Sequence, residues 1–174
     1  KYNAKLVFEV RDIWPLTLIE LGGYSPKHPF VKLMQWLEDK AYRESDVVLS
    51  NLPNAVDHMV ARGMDRSKFS WIPNGFDLNE ASQNVALPVS ILAQLPKDKF
   101  IVGYAGTIGV ANALDTLLEA AKMLQNDTSV LFVLVGSGKE KGVLVNKSKE
   151  MSLNNVIFLE PIEKTQVQSM LKQF

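Results

Sequence analysis

The sequence contains no cysteine. Disulfides, thiolate metal sites and cysteine nucleophiles are therefore excluded, and the absence agrees with a reducing compartment. There is no excess charge of either sign, because 19 Lys and Arg balance 19 Asp and Glu. No field of one sign draws the chain onto nucleic acid, so any anion it binds must be held locally. Long hydrophobic runs are missing too: LFVLV at 131–135 is far short of the roughly 20 residues that span a bilayer. Histidine is scarce. His28 and His58 stand neither at metal-ligand spacing nor beside a candidate nucleophile, and both are expected to serve surface or helix-side packing. What is present, 47% hydrophobic and 22% charged residues over 174 positions, is the balance of one packed domain or two small ones.

Hydrophobic periodicity divides the chain in two. In the first part KLVFEV (5–10) reads as a buried strand, Phe30 to Arg43 as a helix with Leu33, Met34, Leu37 and Ala41 on its apolar side, and DVVLS (46–50) as a second strand. PNAVDHMVAR follows as a compact helix between Pro53 and Gly63, and KFSWIP (68–73) as a third strand. Residues 81–99, with Pro88 and Pro96, lose periodicity and are assigned as a linker between a first domain at 1–80 and a second at 100–174. The second domain restarts as FIVGYAG (strand), Asn112 to Gln125 (helix), VLFVLVG (strand), Lys139 to Met151 (helix), NVIFLE (strand) and Glu163 to Phe174 (helix). Asn112, three residues before Asp115, fits a reciprocal N-terminal cap. Apolar strands alternating with helices predict an α/β fold of parallel, doubly covered, Rossmann-like sheets.

In such sheets ligands sit beyond the carboxyl ends of the strands, where loops lead into helices. GYAGTIG places Gly103, Gly106 and Gly109 at such a joint. Glycines let a backbone approach phosphate, and a helix N-terminus offers unpaired N–H groups with partial positive charge. The spacing G-x-x-G-x-x-G matches neither the dinucleotide fingerprint nor a P-loop, so a plain tight turn explains it equally well. VLVGSGKEK repeats the arrangement with Gly136 and Gly138, adding Lys139 and Lys141. Two such turns at one end of one sheet would converge on a crevice and favour an anionic ligand. Just past the first strand, Arg11-Asp12-Ile13-Trp14-Pro15 offers a charged pair beside an aromatic face. That cluster fits the orientation of a sugar hydroxyl or anion, or a structural ion pair. Trp36 with Lys32, Lys40 and Arg43 fits a membrane-surface contact or core packing, and apolar residues on more than one side favour the core. Trp71, beside Pro73, reads as a buried anchor at the domain junction.

Taken in order, VRDIWP (10–15), IPNGFD (72–77), GYAGTIG with ANALDTLLEAA (111–121), LVGSGKEK (134–141) and NVIFLEPI (155–162) resemble retaining glycosyltransferases of the two-Rossmann GT-B type, group 4. The subset they look most like transfers N-acetylated amino sugars in bacterial O-antigen or capsule assembly. The resemblance covers nearly the whole chain. It implies a UDP-sugar donor in the second domain, a glycan or polyprenyl-linked acceptor at the first, no cofactor or metal, and no nucleic acid partner. It also implies a cytoplasmic parent protein, with peripheral contact at the inner face of the membrane as a further expectation. By position, Gly106, Thr107 and Gly109 would lie against the donor diphosphate with Gly136, Gly138 and Lys141, while Pro161 and Ile162 would line the nucleobase pocket through their backbone. Arg11 and Asp12 would face the cleft, with Asp12 the candidate catalytic residue.

This sequence departs from relatives in carrying Thr107 and Asn112 where many have Arg and Lys, Arg11 where His is common, and Glu160 where Gly is common. The family's paired-glutamate motif would follow Phe174, and the chain is read as the back half of one Rossmann-like domain joined to the front half of the other. As such a fragment it is expected to be inactive alone. A nicotinamide oxidoreductase would require G-x-G-x-x-G, which is absent here. A non-catalytic nucleotide-binding or interaction module of the same fold is the other class to be distinguished.

Overall fold

The structure, a computed structural model, describes residues 4–82 and 84–174. The chain forms two compact units, Lys1–Gly75 and Phe76–Phe174. The first contains β1 (Val7–Val10), α1 (Leu16–Glu20), α2 (Pro29–Glu44), β2 (Val47–Ser50), α3 (Ala55–Ala61) and β3 (Phe69–Trp71). Its strands are parallel in the order β1-β2-β3, with Phe8 beside Val48 and Val48 beside Phe69. Local sequence sets the helix ends. Pro29 opens α2, and the His28 side chain accepts the Phe30 N–H at 3.2 Å, so His28 is a cap. Gly63 ends α3 with φ +96°. Its N–H reaches the Val60 carbonyl and that of Met64 reaches Met59, which satisfies two end carbonyls as the glycine stop predicted.

The core of this unit joins Val10 and Val48 of the sheet to Tyr42 of α2 and to Ala55 and Met59 of α3. Two expectations fail here. Trp36 is 54% exposed, and Phe30, Leu33 and Leu37 are exposed with it, because α2 turns Val31, Glu38 and Tyr42 to the sheet and leaves its second apolar sector outside that core. Trp71 is likewise 54% exposed; its indole N–H donates to the Asn51 carbonyl at 3.2 Å instead of being sunk in a core.

The second unit contains α4 (Leu78–Ser82), α5 (Val89–Leu92), β4 (Phe100–Ala105), α6 (Asp115–Met123), β5 (Val130–Val135), α7 (Lys141–Glu150), β6 (Val156–Leu159) and α8 (Val167–Leu171). Its sheet is parallel in the order β4-β5-β6. Central β5 is covered on both faces, which is why VLFVLV reads as an unbroken apolar run. Leu134 packs with Leu118 and Leu144 of α6 and α7. Leu131, Val133 and Val135 pack on the opposite side with Met170 of α8 and with Leu87, Ile91 and Leu95. Those last three lie in the 81–99 interval assigned as a linker, and Ile91 sits in the one-turn helix α5.

The best helix of the sequence also starts later than expected. Asn112 belongs to a 3-10 turn, Val110–Asn112, followed by Ala113 in the left-handed region at φ 45°. α6 begins at Asp115 behind Leu114, with no side-chain cap, so the Asn112 cap does not form.

Candidate functional site

Beyond the carboxyl ends of β4 and β5 the two glycine turns continue side by side. The Gly106 N–H donates to the Val135 carbonyl at 3.0 Å, Ile108 to Ser137 at 2.9 Å and Glu140 to Ile108 at 3.2 Å. The turns thus form one ledge, as their matching positions in the sequence predicted. The ledge also explains two of its glycines. A Cβ on Gly136 would lie 1.9 Å from the Gly106 carbonyl oxygen, and one on Gly138 2.1 Å from that of Ile108. Both residues also hold φ values, +146° and +158°, that side chains rarely adopt. Gly103 is explained by packing, since a Cβ there would overlap the Phe174 ring. Gly109 differs: its φ is −130°, and a Cβ would meet nothing nearer than 3.6 Å. Among the described residues nothing requires glycine at that position.

The ledge presents donors. Among the described residues the N–H groups of Thr107, Gly109, Ser137 and Gly138 have no protein acceptor, while the Thr107 carbonyl accepts the Tyr104 hydroxyl at 2.7 Å. The 3-10 turn and Ala113 separate these groups from α6, whose own first turn carries Asp115. Any anion held here would rest on the N–H groups of the turns rather than on the α6 dipole. A cavity of about 350 Å³ opens beside Gly109, bounded by Leu114, Asp115, Glu140 and Lys147. Lys147 is bonded to Glu119 at 2.9 Å, which raises its pKa.

Lys141, the first residue of α7, reaches the end of β6. Its ammonium donates to the Leu159 carbonyl and to the Glu160 carboxylate, both at 2.9 Å. Pro161 is exposed, whereas the side chain of Ile162 packs against the core, leaving its backbone as the part that a ligand could touch. The structure therefore brings Gly106, Thr107, Gly109, Gly136, Gly138 and Lys141 onto one end of the sheet, with Pro161 and Ile162 following the strand that Lys141 grips.

In the first unit the expected Arg11–Asp12 pair does not form. The Arg11 guanidinium bonds Glu9 at 2.7 Å, and this bond raises its pKa. Arg11 stands in the bend just past the end of β1, and its side chain turns back to Glu9 on that strand. Asp12 lines a cavity of about 560 Å³ with Arg11, Trp14, Met34, Leu37 and Glu38. Glu38 is the residue that sequence reasoning missed. Its carboxylate accepts the Tyr42 hydroxyl and the Gln35 amide, each at 2.8 Å, and burial pushes its pKa up. The available signal was an acid at the position facing the sheet between Val31 and Tyr42. Among the described residues no group of three or more His, Cys, Asp or Glu is placed to hold a metal ion, and no helix is long and apolar enough to cross a membrane.

Residues 92–174 match the family described as Glycosyl transferases group 1. Along 161 residues the chain is 24% identical to WcaI of Escherichia coli (strain K12), whose name assigns it to colanic acid biosynthesis as a glycosyl transferase. That alignment takes in 90% of this chain and 39% of WcaI. In structure it is similar to Anabaena HepE in complex with UDP, with a TM-score of 0.68 and 20% identity over 95% of this chain and 44% of HepE. It is also similar to WaaG, a glycosyltransferase involved in lipopolysaccharide biosynthesis, with a TM-score of 0.71 and 13% identity over 95% of this chain and 47% of WaaG. The chain spans less than half the length of the relatives it matches. The likeness shows the fold, two parallel α/β sheets of the GT-B kind.

Proposed function

We propose, from a second unit that matches the group 1 glycosyl transferases, that this chain is part of a retaining, group 4 glycosyltransferase. The reaction moves a hexose unit, an N-acetylated amino sugar, from UDP to a hydroxyl of a glycan or polyprenyl-linked acceptor in surface polysaccharide assembly. The first unit serves the acceptor and the second the donor. The parent protein works in the cytoplasm at the inner face of the membrane, and the 174 residues alone do not turn over donor.

One observation carries the reading: Gly109, which the fold does not require, stands on a ledge of unpaired N–H groups inside the segment that the family matches. Cleaving the bond from the anomeric carbon to the diphosphate sends its electron pair to a phosphate oxygen, while the sugar becomes oxocarbenium-like. Fixed N–H groups are suited to that growing negative charge and need no metal ion to act. The acceptor oxygen forms the new bond and loses its proton, for which Asp12 is the candidate acceptor. UDP-bound HepE and the lipopolysaccharide role of WaaG support the donor and the setting by analogy.

Calorimetric titration of the chain with UDP, with NAD and inorganic phosphate as controls and chelator present, tests the donor side. UDP binding that is lost in Thr107→Trp places the diphosphate at GYAGTIG. Absence of UDP binding, or binding indifferent to Thr107→Trp, returns these glycines to the status of structural turns.

A further inference from the structure

The Lys141–Glu160 pair is asymmetric. The lysine side chain is 19% exposed and is fixed to the backbone by its bond to the Leu159 carbonyl, whereas the glutamate side chain is 83% exposed. Glu160 makes no other side-chain hydrogen bond among the described residues. The cation is therefore built in and the anion is held by a single exposed contact.

The pair also stands where the two halves of the proposed donor site meet. Lys141 follows Gly138 by three residues, and the N–H of its neighbour Glu140 is bonded to Ile108 on the first glycine turn. The Lys141 ammonium ends against Leu159, two residues before Pro161. A lysine in the first turn of a helix opposes the partial positive charge there, so its placement calls for negative charge nearby. Glu160 supplies that charge in this structure.

Resting on the donor reading above, we propose that Glu160 is a displaceable counter-anion of Lys141. A phosphate of the incoming nucleoside diphosphate takes its place, which makes Glu160 a determinant of affinity and of selectivity for phosphorylated nucleotides over nucleosides. The exchange is physically easy. An exposed carboxylate regains full hydration when it swings away, and an exposed ion pair is weak to begin with. A diphosphate carries more charge than one carboxylate and draws on the free N–H groups of the ledge as well.

The test titrates the chain and its Glu160→Gln, Lys141→Met and double variants with uridine, UMP and UDP. Glu160→Gln is expected to tighten UDP by about three- to fivefold and leave uridine unchanged, with UMP between them. In the Lys141→Met background most of that gain disappears. Glu160 is exposed, so its variant tests the ligand without testing the fold. Equal changes for uridine and UDP, or no change for UDP, would show that the pair only fastens α7 to β6, and the proposal falls while the donor reading stands. If the unaltered chain binds neither uridine nor UDP, the donor reading falls and takes this inference with it.

Discussion

The Gly106 carbonyl oxygen lies 1.9 Å from the place that the Cβ of any other residue at position 136 would take. The second glycine turn is thus moulded on the first. Gly136→Ala must push two hydrogen-bonded turns apart and also hold a side chain at φ +146°. The expected loss is about 2 kcal/mol or more, and Gly138→Ala should behave alike against Ile108. Thermal unfolding of the two variants checks this.

Gly109 gives the opposite result. A side chain has room there, so Gly109→Val should unfold within about 0.5 kcal/mol of the parent. On the donor reading it nonetheless projects bulk over the unpaired N–H groups, and UDP affinity should fall by about tenfold or more. Calorimetry alongside the unfolding curve separates the two effects. A stable variant with undiminished UDP binding would remove Gly109 from the site.

These two positions show what the sequence could and could not reveal. Buried parallel strands advertise themselves as apolar runs, and the Gly63 stop and the convergence of two glycine turns were legible from spacing alone. The reasons for individual glycines were not, because the Gly136 constraint comes from residues 30 positions away. The Arg11 partner is hidden for a simpler reason, since adjacency in sequence does not say that a side chain in the bend past β1 turns back to Glu9. Hydrophobicity puts Trp36 and Trp71 inside, but it cannot say whether an apolar sector has a neighbour in its own unit. Alanine gives no hint of a left-handed residue, so the delayed start of α6 was invisible.

That alanine offers a direct check. Ala113 holds φ 45° between the 3-10 turn and α6, a conformation that costs a residue with a Cβ about 1 kcal/mol or more and glycine almost nothing. Replacement also loosens the unfolded chain, which offsets part of the gain. Ala113→Gly should therefore stabilise the second unit by up to about 1 kcal/mol, read as a rise in midpoint during chemical unfolding. A loss of stability would mean that the Ala113 methyl group makes contacts worth more than the strain.

Glu38 links stability to pH in a direction opposite to that of most carboxylates. Burial raises its pKa from the ordinary 4.5, outweighing the bonds from Tyr42 and Gln35 and the nearby His58, all of which favour the charged form, while Asp39 adds repulsion. Its folded-state pKa thus exceeds its unfolded one. The stability it contributes is fully present below pH 4.5 and is lost as pH rises through the folded value. Tyr42, wholly buried and itself raised by burial and by the Glu38 charge, remains a donor throughout this window. Glu38→Gln keeps an oxygen for the Tyr42 hydroxyl and removes the titration. The difference in unfolding temperature between Glu38→Gln and the parent should shift in favour of the variant as pH rises above 4.5, where the buried carboxylate must ionise. Comparing two chains at each pH cancels the acid sensitivity of Asp46 and Asp65, whose bonded carboxylates sit below their ordinary range. A difference that is flat across this range would mean that Glu38 titrates no differently folded than unfolded, and that the cavity beside Asp12 and Trp14 is wetter than its apolar walls imply.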